Sequence, residues 1–274
     1  MNLVIILLIV ILLILVKQKN FTNITTPYKI AVITSIFGNY ENLKDHLNVQ
    51  NYNAFDWYCF TDNIKQKKKG VWTIINTPYH LQNETNQTYK NSFNNITDEN
   101  TKNMMYAKYY KAQMHKIDIL QDYDYYIWID GSIKLRPNFV NNLIKLINLN
   151  KDIDLINFRH SARSNIKDEV YYCKDWPKYK AQDLEYQYKY YLKNGFPDNI
   201  GLFELTSFYR KNNDRTNAVF DDWWIQNQQF SYQDQVSFPY SLWKSNKINQ
   251  LILDENVMNN DKYCYNGGHL KNPF

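Results

Sequence analysis

The sequence predicts an α/β fold with a mostly parallel central sheet flanked by helices. Three observations lead there. Short runs rich in β-branched and aromatic residues recur along the chain, segments with apolar residues at helical spacing separate them, and the alternation persists over most of the 274 residues. That is the pattern of a layered sheet with crossover helices. A hydrophobic fraction of 44% against 22% charged residues excludes a disordered chain, because enough apolar surface is present to build a core. Three cysteines, Cys59, Cys173 and Cys264, are too few to staple a chain of this length. They leave either one disulfide with a free thiol, or none.

The chain opens on LVIILLIVILLILV at 3–16, fourteen consecutive large aliphatics, followed abruptly by KQKN. The run is shorter than the roughly 20 residues that span a bilayer core. It also lacks the basic start and the small-residue cleavage site of a secretory signal. It reads as a signal-anchor transmembrane helix over 1–16, the other reading being a cleaved signal peptide, with a polar stem over 17–28 and a catalytic-sized domain over 29–274. Lys17 and Lys19 favour a cytoplasmic position for the domain on their side of the run. Five sequons, at Asn20, Asn23, Asn83, Asn86 and Asn95, favour the lumen.

In the domain, KIAVITSIF at 29–37 is nearly continuous and β-branched, the signature of a strand buried on both faces. FDWYCF at 55–60 and VWTII at 71–75 read as strands, with a helix possible between Tyr40 and Asn51. Residues 77–103 are dominated by Asn, Thr, Gln and Ser and read as an exposed insertion. A helix over 103–120 precedes the strand at 124–130, and Pro137 opens an amphipathic helix running to about residue 149. DIDLINF at 152–158 and GLFELTSFYR at 201–210 are strands, with a helical stretch near 176–194 between them. Helices near 214–228 and 233–244 and a short QLILD strand complete the pass.

A formal charge of +5 is too dilute for a dedicated nucleic-acid binder. Neither G-x-G-x-x-G nor a P-loop occurs, and G-x-S-x-G, H-E-x-x-H and C-x-x-C are missing as well. What carries chemistry is IWIDGSIKL at 127–135, a hydrophobic strand that stops at Asp130. A carboxylate there lies where open α/β sheets bind ligands, and it suits a hard divalent cation bridging a diphosphate. Asp-Gly is equally a turn signal. Lys108, Lys111 and His115, at i, i+3 and i+7, fall on one helical face and can hold phosphates or simply face solvent. Asp234 stands at a helix start, as a cap or as a general base. His269, after Gly267 and Gly268, sits on a flexible turn able to approach a metal.

Together these segments resemble the glycosyltransferase-like family that includes the plant mucilage-related and turgor-regulation-defect proteins. The carriers are IAVITSIFGNYE at 30–41, WYCFTDN at 57–63, AKYYKAQMHKI at 107–117, YYIWIDGSIKL at 125–135, FRHSARSNIKDE at 158–169 and DQVSFPYSLWK at 234–244. The resemblance, over about 29–270, implies a GT-A nucleotide-diphospho-sugar transferase fold on a single-pass Golgi or endoplasmic reticulum anchor, with the catalytic domain lumenal. Asp130 and Ser132 then stand where the family places its Asp-x-Asp metal motif, so the second acid is absent. His269 matches the histidine that completes a Mn²⁺ or Mg²⁺ site. Thr61 and Asp62 would lie near the nucleotide, and Lys108, Lys111 and His115 near the donor phosphates. His160, Arg163, Glu169 and Gln235 would face donor or acceptor, while Gln233 replaces an Arg.

The expected function is transfer of a hexose or related sugar from a nucleotide-diphosphate donor to a glycan, protein or lipid acceptor. Asp130, a divalent cation and the lysines hold the diphosphate, and Asp234 acts as base if the reaction inverts. The enzyme is membrane-anchored and has no nucleic-acid partner. A non-catalytic sugar-binding relative and a hydrolase of membrane-lipid amides are the competing readings.

Overall fold

Residues Ile30–Ile36 form strand β1, buried along its whole length as its β-branched run predicts. The computed structural model describes residues 26–62, 67–77, 89–245 and 248–269. The expected anchor, most of the stem and the sequons at Asn20, Asn23, Asn83 and Asn86 lie outside the described residues. Among the described residues no helix is long and apolar enough to cross a membrane. The remaining strands are β2 (Asp56–Thr61), β3 (Lys68–Lys69), β4 (Trp72–Asn76), β5 (Tyr125–Ile129), β6 (Ile133–Leu135), β7 (Leu155–Arg159), β8 (Phe203–Lys211), β9 (Gln250–Leu253) and β10 (Cys264–Asn266). Eight of them form one sheet in the order β3-β4-β2-β1-β5-β8-β7-β9, and β6 pairs with β10 in a separate ribbon.

Pairing is parallel from β4 through β2 and β1 to β5. Strand β8 then runs antiparallel between β5 and β7, and β9 joins β7 in parallel. The expected mostly parallel sheet is therefore present, with β8 and the short β3 running the other way. Helices α1 (Glu99–Ala112), α5 (Asp214–Gln229) and α6 (Asp234–Ser245) contribute to the core on one face, around Trp128, Phe208 and Trp223. The same core holds α3 (Ile166–Cys173) and α4 (Leu184–Lys193) through Val170 and Leu184. On the other face α2 (Phe139–Leu149) buries Phe139, Val140, Leu143, Ile144 and Ile147 against Val32 and Ile127. These recur at helical spacing, and each such side chain contributes about 1.5–3 kcal/mol when fully buried.

Several sequence expectations need correction. No helix forms between Tyr40 and Asn51. The backbone there is held by tertiary contacts: Trp72 Nε1 donates to the Lys44 carbonyl at 2.8 Å, and His46 is buried against Trp57 and Trp72. The stretch 77–103 is not simply an exposed insertion, because Asn91, Ser92 and Phe93 are buried. Asn91 Nδ2 reaches Gln182 and the carbonyls of Asn227 and Phe230, tying the segment to α5. Helix α1 starts at Glu99, capped by Asp98 accepting from the Thr101 amide at 2.7 Å, and it ends at Ala112. The three cysteines are free and buried.

The segment that positions the site is the end of β5. The Asp130 amide donates to the Thr206 carbonyl at 2.8 Å, extending the β5–β8 pairing by one residue. Its carbonyl accepts from Ile133 at 2.9 Å, so Asp130-Gly131 is also the turn into β6. Asp130 thus both ends the strand and opens the turn.

Candidate active site

A cavity of about 930 Å³ opens where the loop after β1, the β5–β6 turn, α1, α3, β8 and the start of α6 meet. Crevices at the carboxyl ends of parallel strands are the usual ligand sites of open α/β sheets.

Lys108 and Lys111, one turn apart on α1, both reach Asp234 at the start of α6. Lys111 Nζ donates to Asp234 Oδ2 at 2.8 Å and to Asp130 Oδ1 at 3.1 Å. Lys108 Nζ donates to the same Asp234 oxygen at 2.5 Å. Trp128 Nε1, two residues before Asp130 on β5, donates to Asp130 Oδ1 at 2.6 Å. The side chains of Lys111 and Asp234 are 3% and 6% exposed, that of Asp130 33%. Two cations and two carboxylates thus alternate along the cavity wall.

Burial alone pushes the Asp234 carboxyl upward, but the two ammonium groups outweigh it and hold Asp234 below its ordinary range. Burial opposes the charge on Lys111 as well, yet Asp130 and Asp234 together raise it. At Lys108 burial wins and lowers the amine, since it contacts Asp234 alone and has Lys111 as a cationic neighbour. The sequence suggests a cap or a base at Asp234. Its carboxylate instead turns to the lysines, and its other oxygen, Oδ1, is buried without a hydrogen-bond partner.

Asp62 accepts the Gly38 amide with both oxygens, at 3.2 and 3.0 Å. Gly38 has φ +62°, and a Cβ there would come within 2.2 Å of Asn103 Nδ2 on α1. Only glycine lets the loop press this closely on the helix, and the loop then presents Tyr40 and Glu41 to the cavity. Thr61 is buried, and its carbonyl accepts from the Thr77 amide at 2.9 Å. Neither Thr61 nor Asp62 is among the described residues lining the cavity. Both stand behind its wall.

The β6–β10 ribbon returns the chain to the same place. The Gly267 amide donates to the Ser132 carbonyl at 2.8 Å, and His269 follows with Nδ1 3.3 Å from Glu41 Oε2. The Glu41 carboxylate packs on Gly131, where a Cβ would lie 2.4 Å from Oε1. Lys44 is 3.6 Å from Glu41 and donates to the Gly131 carbonyl at 2.7 Å. Burial raises the Glu41 carboxyl, against the opposing pull of Lys44 and His269.

Asp130, Ser132 and His269, the residues assigned to a divalent cation, all line the cavity but are not drawn into one ligand set. Asp130 Oδ1 is taken by Trp128 and Lys111, Ser132 brings no charge, and His269 is turned to Glu41. Among the described residues no three His, Cys, Asp or Glu side chains form a group able to hold a metal ion. A cation of the Mg²⁺ type is commonly held by one or two carboxylates together with substrate phosphates and water, so an ion here would rest on Asp130, with its remaining ligands from the donor.

At the other end of the cavity a second buried polar network gathers the FRHSARSNIKDE segment. Arg163 Nε donates to Glu169 Oε2 at 2.5 Å, and Gln233 Nε2 donates to Glu169 Oε1 at 2.7 Å. Gln233 Oε1 accepts from the Tyr179 hydroxyl at 2.6 Å, so the residue standing in place of an Arg acts as a bridge. His160 Nδ1 accepts the amides of Ala162 and Arg163 at 3.1 and 3.0 Å. Its Nε2 lies 3.2 Å from Arg163 Nη2, 3.6 Å from Glu204 Oε1 and 3.8 Å from Glu169 Oε2. Gln235, half-buried, lines the cavity beside Asp234.

His115 lies elsewhere. Helix α1 stops at Ala112, because Gln113 is captured by the Phe220 carbonyl and Met114 is buried, so the i+7 position leaves the helical face. His115 Nε2 faces Asp221 at 3.0 Å, and Nδ1 faces the fully buried Arg210 at 3.1 Å. It is a structural partner of Arg210, whose guanidinium burial pushes down to about 9. Sequence reasoning passed over Glu41, Trp128 and Glu204. A lone acid inside the apolar strand GLFELTSFYR was the available signal for Glu204.

A sequence profile described as TOD1/MUCI70, glycosyltransferase-like domain, matches residues 15–262. A search of curated protein sequences finds no match. Among solved structures, core-mannan synthase A from Aspergillus fumigatus in its Mn/GDP form is similar with a TM-score of 0.49 at 9% identity, over 85% of this chain and 75% of that one. Mouse xyloside xylosyltransferase 1, in its apo form, is similar with a TM-score of 0.48 at 10% identity, over 83% of this chain and 85% of that one. At such identities neither neighbour's substrate transfers to this chain.

Proposed function

Because the chain belongs to the TOD1/MUCI70 glycosyltransferase-like domain family, we propose that it transfers a sugar from a nucleoside-diphosphate donor, using Lys108 and Lys111 as the diphosphate clamp. The observation that carries this reading is the pair of lysines one turn apart in the cavity wall, Lys111 buried and Lys108 partly so, held by Asp130 and Asp234. A buried ammonium is retained only where an anion balances it. Asp130 and Asp234 hold the Lys111 ammonium, and Asp234 fixes the Lys108 amine beside it, before a donor arrives. An arriving diphosphate brings further negative charge to the same two amines. As the bond to the sugar breaks, that charge grows on the leaving oxygen, and preset cations stabilise it more than they stabilise the ground state.

Asp62 and Gly38 hold the loop that brings Tyr40 against the cavity from the nucleotide side. The fungal mannan synthase was solved in a Mn/GDP form. In this chain Lys108 and Lys111 supply the side-chain charge that faces the diphosphate, and no step is routed through an ion. The expected acceptor is a glycan, protein or lipid, and the expected place of action is a Golgi or endoplasmic reticulum lumen, from an anchored chain.

The test is release of nucleoside diphosphate from a panel of UDP- and GDP-sugars, with and without EDTA. The expected result is turnover of at least one donor, with chelation lowering the rate less than about tenfold, the loss of about one charge-assisted contact. Turnover abolished by EDTA and restored by Mn²⁺ would contradict the lysine clamp, and absence of turnover across the panel would contradict transfer itself.

A further inference from the structure

Transfer also needs a base for the acceptor hydroxyl, and Asp234 is the wrong carboxylate for that task. Two lysines hold it below its ordinary range, and a carboxylate so stabilised is a poor proton acceptor. Among the described residues five other acids line the cavity: Glu41, Asp98, Asp130, Glu169 and Glu204. Asp98 caps α1, and Asp130 accepts from Lys111 and Trp128. Glu169 accepts from Arg163 with one oxygen and from Gln233 with the other. Glu41 lies between Lys44 and His269, on the turn that carries Asp130.

Glu204 differs from all of these. Its side chain is 10% exposed and, among the described residues, no Lys, Arg or His nitrogen lies within hydrogen-bond distance of it, His160 Nε2 standing 3.6 Å from Oε1. Burial raises its carboxyl, with Glu169 pushing the same way against His160, the Ser161 amide and Arg163. Its position is also suitable. Asp130 is hydrogen-bonded to Thr206, and Glu204 stands two residues further along β8 toward the carboxyl edge of the sheet. That is about 7 Å of backbone along the strand from the residue that pairs with Asp130. The register of β7 on β8 jumps here, from Asn157 opposite Phe208 to Phe158 opposite Glu204. Irregularities of this kind re-aim side chains beside active sites.

Resting on the transferase reading, we propose that Glu204 is the general base that activates the acceptor. The acceptor O–H gives its proton to a Glu204 carboxylate oxygen as the acceptor oxygen bonds to the sugar's anomeric carbon. The bond from that carbon to the diphosphate oxygen breaks, and its electron pair leaves with the nucleoside diphosphate, against Lys108 and Lys111. His160, held at Nδ1 by two backbone amides, keeps the loop at 160–163 packed against the carboxylate.

The test compares wild type with Glu204→Gln and Glu204→Asp on whichever UDP- or GDP-sugar the wild type turns over, using water and then azide as acceptor. Water must lose a proton to react and azide has none to lose. Glu204→Gln should lower donor hydrolysis by about 10²- to 10⁴-fold, leave UDP or GDP binding unchanged by calorimetry, and form glycosyl azide at the wild-type rate. Glu204→Asp should recover part of the hydrolysis. Wild-type hydrolysis by Glu204→Gln overturns the assignment and leaves the transferase reading standing. Equal loss of water and azide reactions with nucleotide still bound also overturns it, since that marks a positioning role. Loss of nucleotide binding by the folded Glu204→Gln variant, checked by its melting curve, overturns it as well. A wild type that turns over no donor overturns the transferase reading, and the base with it.

Discussion

Lys111→Met is expected to lower donor turnover by about 10²- to 10³-fold, the loss typical of removing one preset donor to a developing oxyanion. Lys111 is the joint of the site. Its amine bridges the carboxylate that ends β5 and the carboxylate that begins α6, so its removal separates the two halves of the clamp. Methionine keeps the apolar stem against Trp128, over which the amine lies at 5.5 Å. Lys108 still neutralises Asp234 in this variant. Folding is therefore retained while the charge facing the leaving diphosphate is halved. The measurement is steady-state donor hydrolysis beside a melting curve, and an active Lys111→Met protein would remove the lysine from the mechanism.

Asp234→Ala is expected to act chiefly on stability, by about 3–5 kcal/mol, because it strands the Lys108 ammonium and removes one of the two carboxylates on Lys111. Lys111 retains Asp130, whereas Lys108 keeps no carboxylate contact. In thermal unfolding this corresponds to a fall of roughly 6–20 °C. The pH dependence comes from the directions of the shifts. Asp234 is held low when folded, so its contribution is complete above the unfolded carboxylate value and is lost as the pH falls through the folded one. Lys111 is held high, so its contribution is complete below the unfolded amine value and is lost as the pH rises through the folded one. The cluster stabilises across the neutral range, and wild type and Asp234→Ala should converge in acid. Equal melting temperatures at neutral pH would show that the charges are not coupled.

Much of this arrangement was legible in the sequence, for a physical reason. β1 and β5 are buried on both faces and so read as unbroken apolar runs, and Asp130 is visible because it ends one of them. Lys108 and Lys111 are visible because i and i+3 share a helical face wherever the helix ends. His115 escapes the same argument because that argument assumes the helix continues, and tertiary capture of Gln113 and Met114 stops it at Ala112. The helix possible after Tyr40 fails similarly, since Lys44, His46 and Trp72 find better partners than helical ones. Glu41 was out of reach, and Glu204 showed only as a lone acid in an apolar strand, because the meaning of both is topological. Glu41 matters because β10 returns the chain to the β5 turn, and Glu204 because β8 is inserted, reversed, between β5 and β7. No local period encodes either event.

The diphosphate clamp is tested most directly by calorimetric titration of UDP and of uridine, and of GDP and guanosine, into the protein in EDTA, with wild type beside a Lys108→Gln, Lys111→Met double variant. At least one diphosphate is expected to bind wild type much more tightly than its nucleoside, and the double variant is expected to lose this difference while still folding. Equal binding of nucleoside and diphosphate by wild type, or an undiminished preference in the double variant, would rule the clamp out.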